Sequence, residues 1–244
     1  MQDNNSPSYS ASTLTMAAEK PPPESNASTD KELPPGPIVF VIGPPGSGKG
    51  TLCSRICQQI PGSFRHLSVG DHLRELCNAA ASETQPGETG GQVDGRLPPE
   101  EIAKYVQRSK LLPPETIVPL LKEKLLDGQS SSGPGWLIDG FPRDIETALA
   151  FEKEVKAPVH VILLHCDSLF AKDRFIGRRR NTTDDEELFD KRFKEYDEKL
   201  LAIHDHYRGI VTNVTTNGSK DESWGSLVQA VRTLPEFRGL RMFG

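Results

Sequence analysis

The residues GPPGSGKGT, Gly43 to Thr51, decide the fold class of this 244-residue chain. They follow the β-branched run PIVFVIG (Pro37 to Gly43) and lead into a helix-like stretch, Lys49 to Ile60, that stops at Pro61-Gly62. Strand, glycine-rich turn and helix in that order are the setting in which a phosphate-cradling loop, G-x-x-x-x-G-K-[ST], carries meaning. Gly43, Gly48 and Lys49 hold the spacing, with Pro45, Gly46 and Ser47 among the residues between. Such glycines let backbone N–H groups converge on phosphate oxygens, and the helix N-terminus adds a favourable field. Lys49 would neutralise the outer phosphates. One position departs: Gly50 stands where a hydroxyl normally follows the lysine, and Thr51 comes one residue late. A Mg²⁺ ion there must be held mainly by substrate oxygens and water, plus a carboxylate from elsewhere. A ligand-free glycine turn is the bland alternative, and Lys49 at the right spacing argues against it.

Outward from the loop, strand-like and helix-like segments alternate. FRHLSVG (Phe64 to Gly70), GWLID (Gly135 to Asp139), VHVILLHC (Val159 to Cys166) and GIVTNV (Gly209 to Val214) read as further strands. Helical patterns lie between them, including DHLRELCNAAAS, PEEIAKYVQRSK, PETIVPLLKEKLLDG, DIETALAFEKEV and a long amphipathic stretch from about Asp185 to Tyr207. ESWGSLVQAVRTL is the last. Strands alternating with helices predict an α/β fold: a five-stranded parallel sheet with helices on both faces, in three layers. Ligands of such sheets bind outside the carboxyl ends of the strands, and Asp139 closes one strand there, facing the same crevice as the loop. ETQPGETGGQVDGRLPP breaks all periodicity and reads as a loop.

Composition narrows the partners. A net charge of −5 gives no global field for nucleic acid or anionic lipid, so any positive site must be local. No apolar run approaches a membrane span. Residues 1–36 are rich in Ser, Pro, Asn and Thr and lack both a signal peptide's apolar stretch and a transit peptide's arginines. They read as a disordered tail on a cytoplasmic protein, with residues 37–244 forming the domain. Cys53, Cys57, Cys77 and Cys166 have neither zinc-site nor disulfide-framework spacing and read as small core residues. His204 and His206 are two apart and cannot share a helix face as metal ligands, while His66 and His165 are expected at strand ends in packing or surface roles.

GPPGSGKGT, HLSVGDHLRE and GWLIDGFPRD stand in the order and approximate spacing of the adenylate kinase and UMP/CMP kinase family. The resemblance runs from about Pro37 to the last helix, and in this family Gly followed by Thr is the usual end of the loop. It implies a phosphate-loop fold carrying a small acceptor-binding insertion (about 70–112) and a short lid (about 178–187). The implied activity is reversible phosphoryl transfer from Mg²⁺-ATP to a nucleoside monophosphate, by a monomer. AMP is the first candidate acceptor, and UMP or CMP the alternative. Charge neutralisation around the transferred group is the main demand. The family's pattern gives Lys49, Arg143, Arg174, Arg178 and Arg192 that task, with Arg179 and Arg180 open alternatives in register. ATP would lie against Gly43, Pro45, Gly46, Ser47, Gly48, Lys49, Gly50, Thr51 and Gly218. The acceptor would meet Val69, Gly70, Arg74, Leu112, Gly140, Arg143 and Thr147, and Asp139 would hold the metal through water. A solvated basic turn is the bland reading of Arg178 to Arg180 beside the acidic run Asp184 to Glu187.

Departures cluster on the acceptor side. Thr147 takes the place of an amide that reads the base, and a single hydroxyl is a poorer reader. Val69 lacks the usual hydroxyl, and Ser109 and Lys110 replace a customary glycine and glutamine. These changes raise two readings: a kinase with altered or relaxed base selectivity, and a nucleotide-binding regulatory protein whose acceptor site has decayed. No N-K-x-D guanine signature occurs, which argues against a GTPase.

Overall fold

The computed structural model describes residues 34, 36–83, 97–127, 134–178 and 185–242, with the side chains of 80–83 excluded. The expected tail up to residue 33, most of the loop after Glu83, and lid residues 179–184 with Arg179 and Arg180 lie outside the described residues.

Five strands, β1 (Ile38–Ile42), β2 (Phe64–Ser68), β3 (Gly135–Asp139), β4 (His160–His165) and β5 (Val211–Thr215), form one sheet in the order β2-β3-β1-β4-β5. Every pairing is parallel. β1 is the central strand, and all five of its residues are buried, as a strand covered on both faces requires. Ile38, Phe40 and Ile42 point to one face, Val39 and Val41 to the other.

Two helices cover the second face: α1 (Lys49–Gln59) packs Leu52, Cys53 and Ile56 there, and α8 (Lys220–Val231) packs Trp224, Leu227 and Val228. On the first face, α4 (Pro114–Leu126), α5 (Ile145–Glu154) and α7 (Glu186–His206) supply Leu121, Phe151 and Ile203. Phe40 anchors that layer, meeting the rings of Phe141, Phe151 and Tyr207 edge-on at 5.4, 5.4 and 5.9 Å. Such edge contacts add to the apolar area already buried. The expected three-layer α/β fold is therefore present.

The remaining helices are α2 (Val69–Glu83), α3 (Pro99–Gln107) and α6 (Ser168–Gly177). Two expectations are corrected. The second strand ends at Ser68, and Val69 and Gly70 already belong to α2. His66 lies inside β2 rather than at its end. No helix among the described residues is long and apolar enough to cross a membrane.

Candidate active site

The loop after β1 is shaped by its glycines. Gly46 and Gly48 have φ of 81° and 90°, where a side chain is strained, and Gly48 caps α1 in the left-handed conformation. A Cβ on Gly46 would lie 2.0 Å from the backbone oxygen of Ala171, so α6 is seated directly against the loop. The buried Ser47 closes the turn, its N–H donating to the Pro44 carbonyl at 3.2 Å.

Lys49, first residue of α1, folds its ammonium back over the loop and donates to the carbonyls of Gly43 (2.8 Å) and Pro44 (2.9 Å). Burial lowers its pKa to about 8. The Asp139 carboxylate opposes that shift, and the cationic Arg143 and Arg178 reinforce it. Asp139 pairs in register with Val41, which brings the carboxylate beside the loop. The Asp139 side chain is buried, and His66 Nε2 lies 3.5 Å from its Oδ2.

A crevice of about 630 Å³ opens along the carboxyl ends of β1 and β3. The loop from Gly43 to Thr51 (Pro44 apart) forms one wall, and Gly70, Arg74, Gly140 and Arg143 line the other. Arg74 is oriented by Asp71, one turn earlier on α2. Arg143 follows the Gly140-Phe141-Pro142 turn and its Nε donates to the Gly140 carbonyl at 3.3 Å.

Three more arginines reach this crevice from α6 and α7. Arg178 stacks over Phe175 with its guanidinium carbon 4.2 Å from the ring centre. Arg192 bonds the Ser109 hydroxyl. Arg174 donates Nη1 to the Thr216 carbonyl at 2.6 Å and Nη2 to the Gly218 carbonyl. Gly218 therefore meets the crevice through Arg174 and is not among the residues lining it.

A smaller pocket adjoins, lined by Val69, Leu112, Gly140, Arg143 and Thr147 together with Leu73, Lys110, Leu111 and Asp144. All seven residues expected on the acceptor side thus border one of two neighbouring cavities. Thr147, however, is committed to its own helix. Asp144 caps α5 by accepting from the Thr147 N–H at 2.9 Å, and the Thr147 hydroxyl donates to the same carboxylate at 2.7 Å.

Sequence reasoning missed Glu195 and Tyr196, which line the crevice one turn beyond Arg192 on α7. Once α7 is a helix, their spacing from Arg192 places all three on one face. It also missed α6, whose inward face is only Ala171 and Phe175.

Donor chemistry fits the expected metal only loosely. Among the described residues no group of three or more His, Cys, Asp or Glu side chains could hold an ion. Asp139 and Ser47 beside the loop suit an ion held mainly by phosphate oxygens and water.

A phosphate loop faced across one crevice by arginines and a carboxylate defines a nucleotide-binding phosphotransferase. A family model described as adenylate kinase matches residues 41–211. Adenylate kinase 1 of Schistosoma mansoni is 33% identical over 79% of this chain and 91% of its own length. UMP-CMP kinase 3 of Oryza sativa subsp. japonica is 34% identical over 70% of this chain and 72% of its own. Adenylate kinase isoenzyme 1 of Homo sapiens is 30% identical, covering 79% of this chain and 92% of its own length. The chain belongs to the adenylate kinase family.

Proposed function

We propose that this protein is a nucleoside monophosphate kinase that transfers the γ-phosphoryl group of ATP reversibly to AMP. The observation that carries the reading is the single crevice with the phosphate loop on one wall and Arg74 and Arg143 on the other. Two anionic phosphates held there end to end need surrounding cations, and no general base, because the attacking atom is already a phosphate oxygen. Lys49 and the loop N–H groups bind the donor's β- and γ-phosphates. Arg74 and Arg143 hold the acceptor's phosphate. Arg174, Arg178 and Arg192 neutralise charge at the transfer point, and Arg174 ties the 216–218 segment to it. Mg²⁺, where bound with ATP, would neutralise the phosphates, with Asp139 contacting it through water.

The base lies over the pocket of Val69, Leu73, Leu111 and Leu112. Thr147 spends its hydroxyl proton on Asp144, so it gives that base no donor, and selection among bases is relaxed relative to an amide at the same place. Domain boundaries at residue 37, with an insertion at 70–112 and a short lid at 178–187, accompany this reading. So do a monomeric state and a cytoplasmic location.

A coupled assay with Mg²⁺-ATP and AMP, CMP, UMP and GMP in parallel tests it. AMP is expected to be the best acceptor, with at least one other base within about tenfold in kcat/KM, roughly one hydrogen bond's worth. Strict AMP selectivity would remove the relaxed-pocket argument. UMP or CMP as best acceptor would move the chain to the other branch of its family. No transfer to any monophosphate, with ATP still bound, would make it a binding protein instead.

A further inference from the structure

Ser109 is the one non-glycine residue among the described residues with positive φ, at 53°. It ends α3 in a left-handed turn in which the Ser109 N–H donates to the Val106 carbonyl (3.1 Å) and the Lys110 N–H to the Tyr105 carbonyl (2.9 Å). Glycine is the residue that suits this position, because a Cβ disfavours the conformation. The side chain that glycine would lack is engaged across the molecule. Its hydroxyl accepts from Arg192 Nη2 at 2.9 Å and Nε at 3.3 Å, joining residues 83 apart in sequence. Beside it, Lys191 Nζ donates to the Arg108 carbonyl at 3.0 Å, so α7 grips the end of α3 through consecutive residues.

We propose that Ser109 is a positioning residue that holds the Arg192 guanidinium at the crevice wall and couples the acceptor-side helix α3 to α7. An arginine side chain has four rotatable bonds, and two hydrogen bonds to one fixed hydroxyl remove much of that freedom before substrate arrives. Ser109 touches no reacting atom; it acts through Arg192, and the inference rests on the kinase reading above.

Four proteins test it: wild type, Ser109→Gly, Ser109→Ala and Ser109→Asn, each assayed for kcat, KM and thermal midpoint. Glycine and alanine both remove the acceptor oxygen, and both are expected to lower kcat about tenfold, the scale of a lost charge-assisted hydrogen bond. They should differ in stability, glycine melting about 2–4 °C above alanine because it fits the left-handed turn. Asparagine tolerates that turn and offers a carbonyl oxygen to Arg192, and it should recover at least half of wild-type kcat. The effect of Ser109→Ala should shrink below twofold in an Arg192→Met background. A kcat that tracks melting temperature, or one unchanged in the glycine and alanine variants of an active enzyme, would overturn the inference alone. A wild-type protein without transferase activity would overturn the kinase reading, and this inference with it.

Discussion

Replacing Gly46 by alanine places a Cβ 2.0 Å from the Ala171 carbonyl oxygen, well inside any real contact. Relief requires the loop or α6 to shift by more than about an ångström, since a backbone oxygen cannot rotate away as a side chain can. Gly46 also has φ of 81°, so the substitution adds left-handed strain of about 1–2 kcal/mol. Gly62 offers the matched control. It has the same φ of 81°, in the turn between α1 and β2, but a Cβ there would meet nothing within 4 Å. Gly62→Ala therefore isolates strain: a loss of about 1–2 kcal/mol, or about 2–8 °C in melting temperature, with kcat unaffected. Gly46→Ala carries the same strain plus the collision. A displacement of about 1 Å in a phosphate-positioning loop costs on the order of 100-fold in rate. Calorimetric melting and steady-state kinetics on both variants decide the matter. Equal melting temperatures and equal kcat for the two variants would refute the claim that α6 buttresses the loop through Ala171.

Further outcomes follow from the same geometry. Burial holds the Lys49 pKa down to about 8, and a phosphate beside the ammonium must raise it. The Lys49 contribution to ATP affinity is then fully present below about pH 8 and falls as pH rises beyond it, where binding takes up a proton; calorimetry in buffers of different ionisation enthalpy measures that uptake. Below about pH 8 the folded state carries the full penalty of burying the Lys49 cation, and that penalty shrinks as pH rises from there to the ordinary lysine value of 10.5. Lys49→Met should lose about 100- to 1,000-fold in kcat. Arg143→Ala should lower kcat/KM by about 100- to 1,000-fold, since the guanidinium lines both neighbouring cavities. Phe40→Ala removes a fully buried ring that meets three others edge-on, and should cost about 3–5 kcal/mol in denaturant unfolding.

What could be read from the sequence was whatever chemistry is local along the chain. β1, the loop and Asp139 were legible because a buried parallel strand is a continuous apolar run and the loop signals itself by glycines at fixed spacing. The arginines were legible as residue types but not as contacts. Arg174 is expected among the charge-neutralising residues and does line the crevice, but what holds it there is a pair of bonds to carbonyls 42 and 44 residues away, through a chain reversal no periodicity encodes. His66 was expected at a strand end and lies within β2, where pairing of Ser68 with Asp139 brings the imidazole toward a buried carboxylate. Register between strands some 70 residues apart set that approach, and single-sequence patterns carry no register.

Thr147 marks a different limit. Its replacement of an amide suggested a weaker base reader, but not that its proton is already given away. The pattern Asp144-x-x-Thr147 at the start of a helix is itself a capping signal, satisfied by the Thr147 N–H and hydroxyl on one carboxylate. Two local readings of one residue competed, cap and base contact, and the cap took the proton because its partner is three residues away on a pre-formed turn. The same competition explains why the acceptor side was harder to read than the donor side. A loop that binds phosphate does so through its backbone, which the glycines announce. A pocket that selects a base does so through side chains, whose hydrogen bonds can be diverted by any nearer partner. On that argument Lys110, exposed at the mouth of the small pocket and one residue past the Ser109 turn, is the next side chain to test for base selection. Lys110→Gln should narrow acceptor choice toward a single base in the parallel assay, because an amide both donates and accepts along a base edge where an ammonium only donates.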